Sequence, residues 1–110
     1  MRHTQTRLYQ RSLELIDVAK SVMEQLPTGY GFLADQLRRA SSSVVLNFSE
    51  GSSRSSIRER RRYFQIARGS VLEVSAILDV AARFGAIDGA THSQGADLCD
   101  HLSAMLFKYR

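Results

Sequence analysis

The sequence has no tryptophan, one proline and one cysteine. A single thiol, Cys99, excludes an intramolecular disulfide and a thiolate zinc cage, and it fits a reducing cytoplasm. One Pro and seven Gly in 110 residues are too few turn formers for a many-stranded sandwich or barrel. No apolar run approaches the ~18 residues of a membrane span, and the Met1–Arg7 start leads into no apolar stretch of the kind a cleaved signal carries. A soluble cytoplasmic protein without membrane contact is therefore expected. Phosphate-loop patterns are missing: there is no Gly-x-Gly-x-x-Gly and no Gly-Lys-Ser/Thr. No Glu-x-x-His occurs either, which removes the di-metal pattern of helical bundles. No cofactor and no metal are expected, and an enzyme is not.

What is present is a chain of one-domain length, 44% hydrophobic and 24% charged. That composition supports a packed core and argues against disorder. The net charge is +4, and it is unevenly placed. Residues 1–37 carry four basic and four acidic groups, residues 38–68 carry eight Arg and two Glu, and residues 69–110 carry three basic and five acidic groups. Thirteen of the fifteen cations are Arg. Guanidinium groups suit bidentate contacts to phosphate or carboxylate and are also common in protein interfaces, so composition alone does not choose between these uses.

Three clusters of turn residues divide the chain: Pro27 to Gly31, Gly51 to Ser56, and Gly85 to Ala90. Each of the four intervening segments has apolar residues at helical spacing. Leu8, Leu15 and Val22 recur every seven residues in the first, with Ser12, Ala19 and Leu26 between. Leu33, Leu37, Ala40 and Val44 line the second, with Asn47 on the same line. Ile57, Phe64, Val71 and Leu78 line the third, interleaved with Ala67, Val74 and Ala81. Leu98, Leu102, Met105 and Tyr109 line the fourth. Ser56 to Glu59 and Thr91 to Gln94 read as capping boxes that start the third and fourth helices. The expected fold is all-α, an antiparallel up-down four-helix bundle filling residues 1–110, with helices at about 6–26, 31–51, 57–84 and 92–109. Gly69 lies inside the third helix, where Gly costs ~1 kcal/mol relative to Ala. Close helix–helix approach at Gly69-Ser70 is the expected compensation. Tyr9, Leu13, Ile16 and Met23 on the first helix, and Tyr63, Ser70, Ile77 and Phe84 on the third, widen the apolar arc beyond one stripe, which anticipates a covering partner.

The central third carries a resemblance. Gln36-Leu37-Arg38-Arg39-Ala40, then Ser43, then Asn47-Phe48-Ser49-Glu50-Gly51, then Ile66-Ala67-Arg68-Gly69-Ser70 with Glu73, resembles the small four-helix-bundle proteins of the intervening sequences of large-subunit (23S) ribosomal RNA genes. The accessory protein of diversity-generating retroelements is related to them. Ser49 stands where that pattern has Ala, and Val44 where it has Ile. The resemblance implies a four-helix bundle assembled into a ring-like homopentamer. For the retroelement branch it implies binding to nucleic acid and to a reverse transcriptase, and for most members no established biochemical activity.

Two constellations stand out as candidate sites. Arg58, Arg61 and Arg68 share one face of the third helix, Arg62 lies one step around, and Arg38, Arg39 and Arg54 join them if the second and third helices are neighbours. Such a face neutralises RNA or DNA phosphates with release of counterions. The other reading is a scaffold that binds a protein partner, its Arg solvated or paired with carboxylates of an adjacent subunit. The second constellation is a polar stripe, Gln36, Ser43, Asn47 and Glu50, completed through the motif by Gly69, Ser70 and Glu73. A hydrogen-bond network that fixes helix register or subunit pairing is the favoured reading over a ligand pocket, with Glu50 accepting from Arg38, Arg39 or Arg68. Asp88 with His92 and Asp97 with His101 read as ordinary helix-surface pairs. Cys99 reads as a buried, inert thiol.

Overall fold

A computed structural model describes residues 3–110, with side chains from Gln5 onward; the reading of the Met1-Arg2 start lies outside these residues. The described chain forms four helices and no strand: α1 (His3–Gln25), α2 (Gly31–Ser52), α3 (Ile57–Arg83) and α4 (Gly89–Phe107). The boundaries follow largely from local chemistry. Pro27 lacks a donor and ends the first helical run. Ser56, in extended conformation, accepts from the Glu59 backbone N–H at 3.3 Å and starts α3. Asp88 accepts from the Thr91 N–H at 2.7 Å and starts α4. The expected Thr91 cap is thus replaced by one three residues earlier, and α4 begins at Gly89 rather than near residue 92. Thr91 lies within the first turn, and its hydroxyl donates to Gln25 Oε1 at 3.1 Å. Gly85, at φ +72, closes α3. The Ala86 N–H reaches the Ala81 carbonyl at 2.9 Å and the Gly85 N–H reaches Ala82 at 3.0 Å, the paired bonds of a Schellman stop.

Among the described residues α1 packs on α2, α2 on α3, α3 on α4, and α4 closes on α1, with no close backbone approach across either diagonal. Contacting residues run in opposite directions. Ser43 meets Ser70 and Gly51 meets Phe64 between α2 and α3. Gln65 meets Leu106, and Leu78 meets Gly95, between α3 and α4. Gln25 meets Thr91, and Val18 meets Gly95, between α1 and α4. The result is an up-down bundle of 45 × 22 × 18 Å. No helix is long and apolar enough to cross a membrane among the described residues.

The heptad lines become the core. Leu8, Leu15, Val22, Leu33, Leu37, Val44, Phe48, Phe64, Val71, Val74, Leu78, Leu102 and Leu106 are all buried, each worth ~1.5–3 kcal/mol of transfer free energy before entropy is counted. Buried Ser12 is satisfied by donating to the Tyr9 carbonyl at 2.6 Å, and buried Ser41 by donating to Leu37 at 2.7 Å. Two lines shift from expectation. Ile57 is 63% exposed, because it is the first residue of α3 and stands at the end of the bundle. In α4 the buried line is Gly95, Cys99, Leu102 and Leu106, while Leu98, Met105 and Tyr109 are half-buried. Gly95 lies on that line in close approach to α3, where a Cβ would lie 2.5 Å from Leu78 Cδ1.

Close approach also occurs at a different glycine from the one expected. A Cβ on Gly51 would lie 2.8 Å from two Phe64 ring carbons and 2.9 Å from Tyr63 Cβ, whereas a Cβ on Gly69 would meet nothing within 4 Å. Gly51 is the contact glycine and Gly69 faces outward. Gly51→Ala should therefore destabilise the fold by ~1–3 kcal/mol through overpacking. Gly69→Ala should stabilise the isolated chain by ~0.5–1 kcal/mol through helix propensity. Chemical denaturation of both variants checks the opposite signs; equal signs would refute this placement of the two glycines.

Candidate nucleic-acid interface

In an up-down bundle the start of α1, the end of α2, the start of α3 and the end of α4 share one pole. That geometry gathers cations that are far apart in sequence. Arg7 from α1, Arg54 after α2, Arg58, Arg60, Arg61 and Arg62 from the first turns of α3, and Lys108 and Arg110 at the chain end all lie there. The carboxylates at this pole are Glu50 and Glu59. Each is engaged at its edge, Glu50 with Arg54 at 3.4 Å and Glu59 with Arg62 at 3.7 Å. All these side chains except half-buried Arg60 are exposed. Cations in the first turns of a helix oppose its macrodipole, and the Arg58–Arg61 and Arg58–Arg62 spacings set like charges side by side. The pole is electrostatically self-repelling.

Aromatic rings hold several of these guanidinium groups. Arg54 and Arg62 lie 5.3 and 5.2 Å from the Tyr63 ring centroid, and Arg54 Nη2 donates to the Tyr63 hydroxyl at 3.4 Å. Arg110 lies 3.8 Å from the Phe107 centroid. Stacking of this kind fixes a guanidinium plane while leaving its N–H groups available.

The structure brings together only part of the Arg set read from the sequence. Arg54, Arg58, Arg61 and Arg62 share the pole. Arg68 is half-buried and turned to α4; its Nε donates to the Ser103 carbonyl at 3.4 Å and its guanidinium lies 5.0 Å from the Phe107 centroid. Arg38 and Arg39 lie on α2 roughly 20 Å along the axis from the pole, at ~1.5 Å per residue. Arg38 is held there by Asp35 at 3.0 Å. Arg7, Arg60, Lys108 and Arg110 escape the sequence reading because they lie outside the Arg face that the α3 periodicity picks out. The signal that finds them is the alternating helix direction, which puts the start of α1 and the end of α4 at the same end of the bundle as the start of α3.

The polar stripe also divides. Ser43 Oγ and Ser70 Oγ are 2.8 Å apart, and Asn47 Nδ2 donates to Ser43 Oγ at 3.0 Å and to the Ser43 carbonyl at 2.9 Å. These three residues tie α2 to α3 in one register. Gln36, Arg39, Ser43 and Glu73 line an open recess of about 450 Å³ on the outer face of the same helix pair, and Gly69 lies on the outer side of α3. Glu50 belongs to the pole, with Arg54 and the Ser53 hydroxyl as its partners, and not with Arg38, Arg39 or Arg68.

The remaining titratable groups have structural explanations. His92 Nε2 lies 2.8 Å from Asp79 Oδ1 across α3 and α4, and Asp88 is occupied as the α4 cap. The Thr91 N–H bond holds the Asp88 carboxyl below the usual carboxylate range. His101 and Asp97 line a groove between α1 and α4 with Glu14 and Asp17. Burial, reinforced by the Asp100 and Asp79 charges, pushes the Cys99 thiol up to about 12. No group of three His, Cys, Asp or Glu side chains that could hold a metal is present among the described residues.

These features define a small all-α bundle whose chemistry is a cationic pole. Over residues 4–108 the sequence matches the 23S rRNA-intervening sequence proteins, and the chain belongs to that family. The sequence matches no curated protein.

The thiol offers a check on the buried side of α4. Ellman's reagent at pH 8 should leave Cys99 unmodified in the folded protein and titrate one thiol per chain in denaturant. Stoichiometric labelling of the native protein would show that α4 is packed otherwise.

Proposed function

We propose that this protein is a non-catalytic nucleic-acid-binding bundle that engages the phosphate backbone through its cationic pole. The observation that carries this reading is the excess of cations over carboxylates on one end of the bundle, eight against two. The name of the family, which refers to the intervening sequence of 23S rRNA, is compatible with RNA as the ligand. Arg54, Arg58, Arg61 and Arg62 contact phosphates, with Arg60, Lys108, Arg7 and Arg110 around them. Contacts of this kind position a protein on a strand and carry little sequence information.

Self-assembly is the second reading, and one observation favours it. Ile66, Leu72 and Val80 are between 40% and 49% exposed along the outer side of α3, and Leu46 on α2 is 66% exposed. The α1 residues expected to supply surplus apolar surface are instead half-buried. The outer α3 stripe, open at Gly69, suits a second copy, and the ring of five implied by the family resemblance would repeat the cationic pole. Weak phosphate contacts then sum through avidity.

Two measurements test these readings. Anisotropy titrations with a structured RNA and a matched DNA duplex should give affinity that falls linearly in log–log with salt. The triple substitution Arg54→Gln, Arg58→Gln, Arg62→Gln should flatten the slope by about 0.9 for each duplex phosphate that is no longer neutralised. Unchanged binding in that variant would move the site elsewhere. Light scattering should report a multiple of the monomer mass for the wild type and a smaller particle for Ile66→Glu; a monomeric wild type sinks the assembly reading.

A further inference from the structure

The pole holds a recess of about 220 Å³ where the end of the chain crosses the first turns of α3. Its inner wall is aromatic: Phe64 and Tyr109 meet edge to face with centroids 4.8 Å apart. Ile57 and the amide side chain of Gln5 also line it, and Arg60, Arg61 and Lys108 stand around it. On α3 the spacing from Ile57 to Arg60, Arg61 and Phe64 is three, four and seven, so one helical face supplies both the apolar wall and the cations. No carboxylate lines the recess.

We propose that this recess holds a single unpaired nucleotide, its base against Ile57 and Tyr109 and its phosphate against Arg60, Arg61 and Lys108. The inference rests on the reading of the pole as a nucleic-acid site and narrows it from any phosphate backbone to strands with an unpaired base. Three features carry it. The volume lies below the ~300–1,000 Å³ of pockets for drug-sized ligands, so it accommodates one flat heterocycle and not a folded segment. The charge is complementary, with three cations and no acidic side chain around a wall of Ile57, Phe64, Tyr109 and the neutral Gln5. Ile57 is an apolar side chain 63% exposed amid cations, and a stacked base would cover it. Every base presents a π-face, so the recess discriminates paired from unpaired nucleotides rather than one sequence from another. A base inside a duplex reaches it only by leaving the stack.

The same chemistry is offered by a strand and by a free mononucleotide, and the experiment separates them. Full-length protein is titrated with a blunt RNA hairpin, with the hairpin bearing a short adenosine overhang, and with the same overhang lacking its bases. AMP is added separately while the Ile57 methyl signal is followed by NMR. The expected result is that the adenosine overhang binds about fivefold or more tightly than the abasic one. Ile57→Ala should erase that preference while leaving blunt-hairpin affinity unchanged, and Lys108→Gln should weaken all three RNAs. Ile57 is exposed, so its truncation leaves the core intact. Equal affinity for adenosine and abasic overhangs, or a preference that survives Ile57→Ala, overturns the recess and leaves the cationic pole standing. An Ile57 shift with AMP and no RNA binding assigns the recess to a free nucleotide and overturns the pole reading. Neither RNA binding nor an AMP shift overturns both.

Discussion

The contact between the Gly51 backbone and the Phe64 ring is the constraint on which the rest of the arrangement depends. It lets the last turn of α2 press against the second turn of α3, with Phe48 and Phe64 stacked 5.1 Å apart beneath it. Any side chain at residue 51 would force the helices apart at the end where their register is set. The Ser43–Ser70–Asn47 bonds repeat the same register one span further along. With α2 and α3 locked, the joint from Ser53 to Ser56 is short and leaves Arg54 beside Tyr63. Phe64 also supports Tyr109, so the closing turn of the chain is placed by the same ring.

Much of this is legible in the residues. The number of helices, their order and most of the core follow from heptad spacing and three turn clusters, because apolar periodicity reports burial directly. Ser56 is readable as a cap because its pattern is local. What escapes depends on neighbours in space. Thr91 to Gln94 has capping-box composition, yet Asp88 stands earlier in the chain with a carboxylate that meets the free N–H first. Gly69 and Gly51 look alike as letters; only the position of Phe64 distinguishes a contact glycine from an open one. Ile57 continues the heptad of α3 beyond the point where other helices remain to cover it. The Arg face is visible as a helical stripe, but α4 takes Arg68 out of it, while distance along α2 removes Arg38 and Arg39.

A bundle of this kind separates two tasks. Stability resides in the aliphatic seam and in the α2–α3 register. The cationic pole contributes little to it, since repulsion among the Arg residues and the opposing helix dipole of α3 act against folding. The family to which the chain belongs is named for the intervening sequence of 23S rRNA, and on the proposed reading a polyanion at the pole would turn this local cost into binding free energy. The apolar outer side of α3 is a separate surface, lying along the bundle rather than at its end, so the two proposed uses, assembly and strand contact, would draw on different residues.

The separation of charge along the 45 Å axis has a consequence for motion before contact. Asp79 at the end of α3 and Asp88 at the start of α4 lie at the opposite end from the excess of cations, so the described chain carries an electric moment along its length. In the field of a polyanion such a body experiences a torque as well as an attraction. It turns its cationic end forward while still about a Debye length away, ~8 Å at physiological ionic strength. Fewer encounters are then wasted on wrong orientations, and the elongated shape of the bundle becomes a kinetic property.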